Sequence, residues 1–218
     1  MKKAIVFDLD GTLLNTLDDL ADSTNFALLK NGLPERRTDE IRMFVGDGIY
    51  KLMERAVPDK TSKELTDICY NDFCEHYKIN MENKTAPYDG VEALLKALYN
   101  AGYKMAIVTN KADFAAQRLC GNMFGKYIKT IVGSVEDRPN KPAPDGVYAA
   151  LSQMGVEKNE TIFIGDSQVD IETAKNAGLD SIGVLWGFRT LEDLKKAGVQ
   201  KTAKNTEELK KMLLNLKK

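Results

Sequence analysis

The sequence predicts an α/β fold: a doubly wound parallel sheet that carries an all-helical insert close to its N-terminus. Three observations lead there. Short apolar runs rich in β-branched residues recur at 4–7, 104–108, 130–132, 161–164 and 181–186. Helix-length stretches at 113–123, 144–154 and 171–177 separate the last four runs, and strands alternating with helices fold as right-handed βαβ units on a parallel sheet. Between the first run and the second, residues 15–83 keep helical apolar spacing with no β-branched run.

Taken in order, Ile5, Val6 and Phe7 form a buried strand bounded by Lys2-Lys3 before it and Asp8-Leu9-Asp10-Gly11-Thr12 after it. The insert follows. Leu17, Leu20, Ala21, Phe26, Leu28 and Leu29 share helical spacing, as do Ile49, Leu52, Met53 and Ala56, then Leu65, Ile68, Cys69 and Phe73. Thr61 and Glu64 have the spacing of a capping box that opens the last of these helices. Linkers near 13–16 and 80–88 join the insert to the rest, which divides the chain into a core of residues 1–14 plus 84–218 and a helical unit of 15–83. A helix over 90–100 precedes the strand at 104–108. Four further elements of the core bring the sheet to five strands. The last stretch, 206–218, puts Leu209, Met212, Leu213 and Leu216 on one face and reads as a packing helix. An insert that leaves the sheet at its ligand-binding edge is placed to act as a lid.

Composition sets outer bounds. The 218 residues carry 31 basic and 32 acidic side chains, a net charge of −1, without the basic excess of a nucleic-acid or anionic-membrane binder. No apolar run approaches the roughly 18 residues of a membrane span, and the first strand starts too early for a signal peptide, so a cytoplasmic protein is expected, as monomer or homodimer. Cys69, Cys74 and Cys120 are an odd number without a framework, consistent with reduced thiols. Cys69, Cys74 and His76 lack a fourth ligand for zinc. His76, the one histidine, reads as a solvated side chain, and no G-x-S-x-G elbow accompanies it for a serine hydrolase.

The strand ends hold the chemistry. The first ends in Asp8 and Asp10, the second in Thr109-Asn110-Lys111, and the fourth in Gly165-Asp166-Ser167 with Asp170 beyond; the third is followed by Asn140-Lys141-Pro142. In a parallel sheet these ends share one edge, where ligands bind. Asp8 and Asp166 suit a hard cation such as Mg²⁺. Thr109 and the N–H groups after it, on Asn110, can donate to phosphate oxygens, and Lys141 supplies a point charge. In the insert, Gly46-Asp47-Gly48 precedes a helix whose N-terminal N–H groups can receive an anion, with Lys51, Arg42 or Arg55 adding charge.

On these residues the chain resembles the haloacid dehalogenase superfamily over essentially its whole length. Asp8-x-Asp10-Gly11-Thr12 matches motif one, Thr109 motif two, Lys141 motif three, and Gly165-Asp166-x-x-x-Asp170 motif four. The resemblance implies a Rossmann-like core with a four-helix C1 cap at residues 15–83, Mg²⁺, and an aspartyl-phosphate intermediate. It implies Asp8 as nucleophile and Asp10 as general acid and base, with its backbone carbonyl on the metal. Thr109, Lys141 and Gly11 then serve the phosphate, and Asp170 orients a metal-bound water. Asp10 sets the chain apart from dehalogenases, which lack the second acid, and from P-type ATPases, which carry Lys there. Thr12 leans away from β-phosphoglucomutases, which usually carry Val. Residues 41–57 are similar to the cap of phosphoglycolate phosphatases. Asn15 replaces the Asp of many relatives and puts a linker hydrogen bond in question. The expected function is hydrolysis of a small phosphorylated metabolite, 2-phosphoglycolate first. Pyrophosphate, a nucleotide monophosphate or a sugar phosphate are the alternatives, followed by a phosphomutase and, from another class, a non-catalytic binding module.

Overall fold

A computed structural model describes residues 1–216. Its centre is a parallel sheet of β1 (Ala4–Phe7), β4 (Lys104–Ala112), β5 (Thr130–Ser134), β6 (Thr161–Gly165), β7 (Asp180–Val184) and β8 (Thr202–Ala203), in the order β5-β4-β1-β6-β7-β8. Every neighbouring pair is parallel. Counted along the core alone, this is the 3-2-1-4-5-6 order whose reversal point beside the first strand is a ligand crevice. β1 sits at that point, between β4 (Ala4 opposite Lys104) and β6 (Ala4 opposite Thr161).

Alternation along the strands sorts side chains onto two faces. Ala4, Val6, Ala106, Val108, Val132 and Phe163 join α7 (Asp145–Met154) and α8 (Gln168–Ala177) in one apolar layer. Ile5, Phe7, Met105, Ile107, Ile162, Ile164 and Ile182 meet α5 (Val91–Asn100), α6 (Asp113–Phe124) and α10 (Thr206–Asn215) in the other. Burial on both faces explains why these strands read as unbroken apolar runs rather than alternating ones. The sheet is thus doubly wound, with six strands where the sequence predicts five. The added strand, β8, has two residues and pairs only with Gly183 and Val184. A two-residue edge strand has no periodicity to detect. The short α9 (Leu191–Lys196) leads into it.

The helices α1 (Leu17–Lys30), α2 (Thr38–Phe44), α3 (Ile49–Ala56) and α4 (Lys63–Asn80) all lie between β2 (Leu14–Asn15) and β3 (Ala86–Pro87). β2 and β3 pair antiparallel, Leu14 opposite Pro87, so the two predicted linkers run side by side as a ribbon. Asp19 on α1 fixes the return strand by accepting from Lys84 N and Thr85 N at 2.8–3.0 Å. Asn15 does make a linker hydrogen bond: its Oδ1 accepts from Leu17 N at 3.3 Å.

Several local expectations change. α4 is capped by Ser62, whose hydroxyl accepts from Leu65 N, and not by Thr61, which donates its hydroxyl to Pro58 O. Phe26, Leu29 and Ile68 fit the helical period but are exposed. His76 is not simply solvated, since it stacks on Phe26 with centroids 4.2 Å apart and shares a hydrogen bond with Ser23. The C-terminal helix buries Leu209 and Leu213 against the core with Met212 and Leu216 beside them. The last two residues of its predicted span lie outside the described residues. No helix among the described residues is long and apolar enough to cross a membrane.

Candidate active site

The loop after β1 makes the first wall. Asp8 N donates to Ile164 O at 2.8 Å, so the strand ladder continues through Asp8 and points the acid out of the sheet edge. Leu9 O then accepts from Thr12, Leu13 and Leu14 N in a tight turn, and Asp8 and Asp10 both line the cavity. The turn needs a backbone with φ of +89° at Gly11, and a Cβ there would meet the Asp166 carboxylate at 2.5 Å. Only glycine meets both demands.

β4 supplies the second wall. It runs through Thr109, Asn110 and Lys111 to Ala112, four residues past its predicted end, with a register shift against β5 along this stretch. Thr109 is buried beside the acids, and its hydroxyl accepts from Lys111 N at 3.2 Å. The Asn110 side chain is committed to structure. It accepts from Lys141 N at 2.8 Å and donates to Lys141 O and Gly46 O, both at 3.0 Å, which ties the lysine loop and the insert to the core.

The third wall follows β6. Asp170 Oδ2 accepts from Asp166 N, Ser167 N and Ser167 Oγ, while Asp170 Oδ1 accepts from Lys141 Nζ at 2.7 Å. Asp170, in the first turn of α8, is therefore also the anchor of the Lys141 ammonium. Lys141 Nζ lies 2.7 Å from Asp8 Oδ1 as well. Asp166 accepts from Thr12 Oγ1 at 3.2 Å and from Phe188 N at 2.7 Å.

Asp8, Asp166 and Asp170 each bring a carboxylate oxygen within 4.8 Å of the others, all buried. Burial and the Asp170 charge push the Asp8 carboxyl up to about 7 despite Lys141 beside it. Burial, then Asp170 and Asp8, raises Asp166 well above the usual carboxylate range. Burial works against the Lys141 charge, but Asp170 and Asp8 outweigh it and hold the ammonium protonated. Three acids against one lysine leave negative charge uncompensated, the donor set of a hard divalent cation. Among the described residues no other His, Cys, Asp and Glu group offers such a cluster, the Cys69, Cys74 and His76 stretch included.

The insert roofs these walls. Leu20, Val45, Ile49, Leu52 and Tyr77 line the cavity from above, with Gly46 and Gly48 at the turn before α3. Asp47 and Lys51 are not among the lining residues. Asp47 pairs with Arg55 at 2.5 Å and Lys51 with Glu54 at 2.6 Å, both at the surface. Arg42 gives the site only its carbonyl, which accepts from Arg189 Nη1 at 2.8 Å.

Lys111, Tyr77, Phe188 and Arg189 line the cavity with no role assigned to them from the sequence. Lys111 is fully buried, with Nζ 2.8 Å from Asp10 Oδ1 and 2.7 Å from the Tyr77 hydroxyl. Arg189, beyond β7, donates to Arg42, Met43 and Val45 carbonyls of the insert. Phe188, beside it, lines the cavity and donates its N–H to Asp166 Oδ2. Lys111 stands two residues after Thr109, and the register shift of β4 against β5 leaves alternation past Val108 without a reliable side. Arg189 and Tyr77 had no signal in the sequence, because only the three-dimensional fold brings them to the sheet edge.

Known proteins match this arrangement. The family model described as haloacid dehalogenase-like hydrolase matches residues 5–184. A phosphoglycolate phosphatase of Aquifex aeolicus is 33% identical over 188 residues, 85% of this chain and 86% of that protein. A phosphoglycolate phosphatase of Colwellia psychrerythraea is 34% identical over 206 residues, 91% of each. A crystal structure of a protein from Lactobacillus delbrueckii subsp. bulgaricus superposes with a TM-score of 0.93 at 29% identity, covering 98% of this chain and 99% of that one. A haloacid dehalogenase-like hydrolase from Streptococcus pneumoniae shares the fold at a TM-score of 0.87 and 23% identity, over 97% of this chain and 98% of that one.

Proposed function

Because the chain belongs to the haloacid dehalogenase-like hydrolase family, whose matched relatives make it a phosphatase, we propose that it hydrolyses 2-phosphoglycolate through a phosphorylated Asp8, with Mg²⁺ as cofactor. The observation that carries this reading is the contact of Asp8 with Lys141 on the floor of a cavity small and apolar at its roof. In this reading residues 1–14 and 84–218 are the catalytic core and residues 15–83 a cap that selects the substrate.

Asp8 attacks phosphorus in line with the ester oxygen. The new bond from phosphorus to Asp8 forms as the ester bond breaks, and Asp10 gives a proton from Oδ2 to the leaving oxygen. Lys141 Nζ and the Thr109 hydroxyl donate to the remaining phosphate oxygens, where charge gathers in the transition state. Water then attacks the phosphorus of phosphorylated Asp8 and loses its proton to Asp10, which frees phosphate and restores both acids. Asp8, Asp166 and the Asp10 carbonyl would hold the divalent cation, with Asp170 fixing a water in its shell and Gly11 leaving room for the phosphate. That cation supplies neutralisation of the charge shared by nucleophile and phosphate. Apolar contacts from Leu20, Val45 and Ile49 favour a short substrate, and the positive charge of Arg189 on the cavity wall suits one with a second negative group.

The test is phosphate release from 2-phosphoglycolate, pyrophosphate, nucleotide monophosphates and hexose phosphates with Mg²⁺ present. A kcat/KM for 2-phosphoglycolate about a hundredfold above the rest, some 2.7 kcal/mol in transition-state binding, supports the reading. A comparable preference for another member reassigns the substrate and leaves the chemistry standing. No release from any member overturns the reading.

A further inference from the structure

Lys111 is the one buried ammonium of the cavity that the phosphate chemistry does not use. Its Nζ bridges two parts of the molecule. On one side it meets Asp10 Oδ1 at 2.8 Å, in the core; on the other it meets the hydroxyl of Tyr77 at 2.7 Å, on α4 of the helical insert. The ammonium also lies 4.9 Å from the centre of the Tyr77 ring. Lys111 and Tyr77 are buried. Tyr77 is held in turn by the Phe73 ring, stacked with centroids 5.3 Å apart, and by the last turn of α4, where Met81 N donates to Tyr77 O just before the chain returns to the core.

Asp10 has two carboxylate oxygens with different lots. Oδ1 is occupied by Lys111, and Oδ2 has no hydrogen-bond partner among the described residues. A lysine ammonium only donates, so a protonated carboxyl seated on it turns its carbonyl oxygen, the better acceptor, to the ammonium and carries its exchangeable proton on the other oxygen. A buried ion pair seldom adds net stability over an apolar pair of the same volume. Its place at the seam between core and insert therefore calls for another explanation.

From this geometry we infer that Lys111 and Tyr77 are positioning residues for the general acid: Tyr77 on the insert sets Lys111, and Lys111 confines the Asp10 proton to Oδ2. The inference rests on the proposed role of Asp10 and deepens it. It makes the docked insert a requirement for proton delivery to the leaving group, separate from any contact the insert makes with substrate.

The test uses Tyr77→Phe, which removes one hydroxyl and keeps the ring, and Lys111→Met beside it. Each full-length variant is assayed for kcat/KM on phenyl phosphates that differ only in leaving-group acidity, from nitrophenyl to methoxyphenyl, so that shape and fit to the insert stay nearly constant. Nitrophenolate departs without a proton, whereas the poorest leaving group needs the full contribution of the acid, typically a hundredfold or more. The expected result is a steeper dependence on leaving-group acidity than wild type. The nitrophenyl ester should lose less than about twofold and the methoxyphenyl ester about tenfold or more in Tyr77→Phe. Parallel lines, whether from equal loss across the series or from no loss at all, overturn the inference. Should Lys111→Met fail to fold, Tyr77→Phe decides alone. Failure of the wild type to release phosphate from this series and from the substrate panel alike would instead overturn the phosphatase mechanism on which the inference stands.

Discussion

At the scale of single residues, the site is a negotiation among buried charges. Lys141 holds Asp8 and Asp170 at once, so Lys141→Met leaves two buried acids without their cation. Breaking a buried pair in this way costs about 3–5 kcal/mol. A fall in stability of that order in urea at pH 8, with turnover lost, is the expected outcome. Asp8→Asn should keep the fold and abolish phosphate release, and wild-type turnover by that variant would exclude Asp8 as nucleophile. Asp8 also sets a pH dependence. Its folded pKa of about 7 lies above the ordinary carboxylate value, so between roughly pH 4 and 7 the folded state holds a proton that the unfolded state has lost. Without divalent cation, stability should therefore fall as pH rises through that window. Melting curves in a chelating buffer check this, and Asp8→Asn should reduce the slope while leaving the part that the raised Asp166 contributes. The acids, Thr109 and Lys141 were legible in the sequence because each follows an apolar strand, and a parallel sheet must gather strand ends at one edge. Lys111 was not, because it lies inside an irregular stretch of β4 where alternation gives no reliable side.

At the scale of elements, the insert is fastened to the core by side chains reaching for backbone. Arg189 gives three hydrogen bonds to carbonyls at and just past the end of α2, where the helix leaves its last carbonyls unpaired and partly negative. Hydrogen bonds from a charged donor are each worth roughly 1.5–3 kcal/mol. Arg189→Met should accordingly loosen residues 38–48. Faster amide hydrogen exchange there, with α4 and the sheet unchanged, is the expected signature; unchanged exchange would mean that Asn110 and the apolar roof suffice to hold the turn. The four helices of the insert were readable from their apolar period, yet the period overstated burial. Phe26, Leu29 and Ile68 satisfy the spacing and face outward, since only packing decides which side of a helix is covered. The ribbon of β2 and β3 was read as two linkers because two residues per strand carry no pattern of their own.

For the molecule as a whole, a bound divalent cation should act as a staple across the sheet, because Asp8 and Asp166 follow different strands. A ligand that binds only the folded state at a hundred times its dissociation constant adds about 2.7 kcal/mol. A rise in melting temperature with Mg²⁺ that is lost in Asp166→Asn is expected, and an equal rise in that variant would place the cation elsewhere. The doubly wound architecture was legible because both faces of the sheet are covered, which makes every long core strand apolar throughout; what covered them had to come from the fold. The position of β1 has one more consequence, for the order in which the chain is made. Its four residues come first among the described strands in chain order and sit at the centre of the finished sheet, between neighbours that begin at Lys104 and Thr161. At roughly 5–20 residues per second, the ribosome delivers the second neighbour some 8–30 s after the first strand. For about the first 5–20 s of that interval, until β4 follows, Ile5, Val6 and Phe7 have no sheet partner, and the four helices of the insert emerge before either neighbour does. The growing chain thus makes its roof before it completes the sheet that the roof covers.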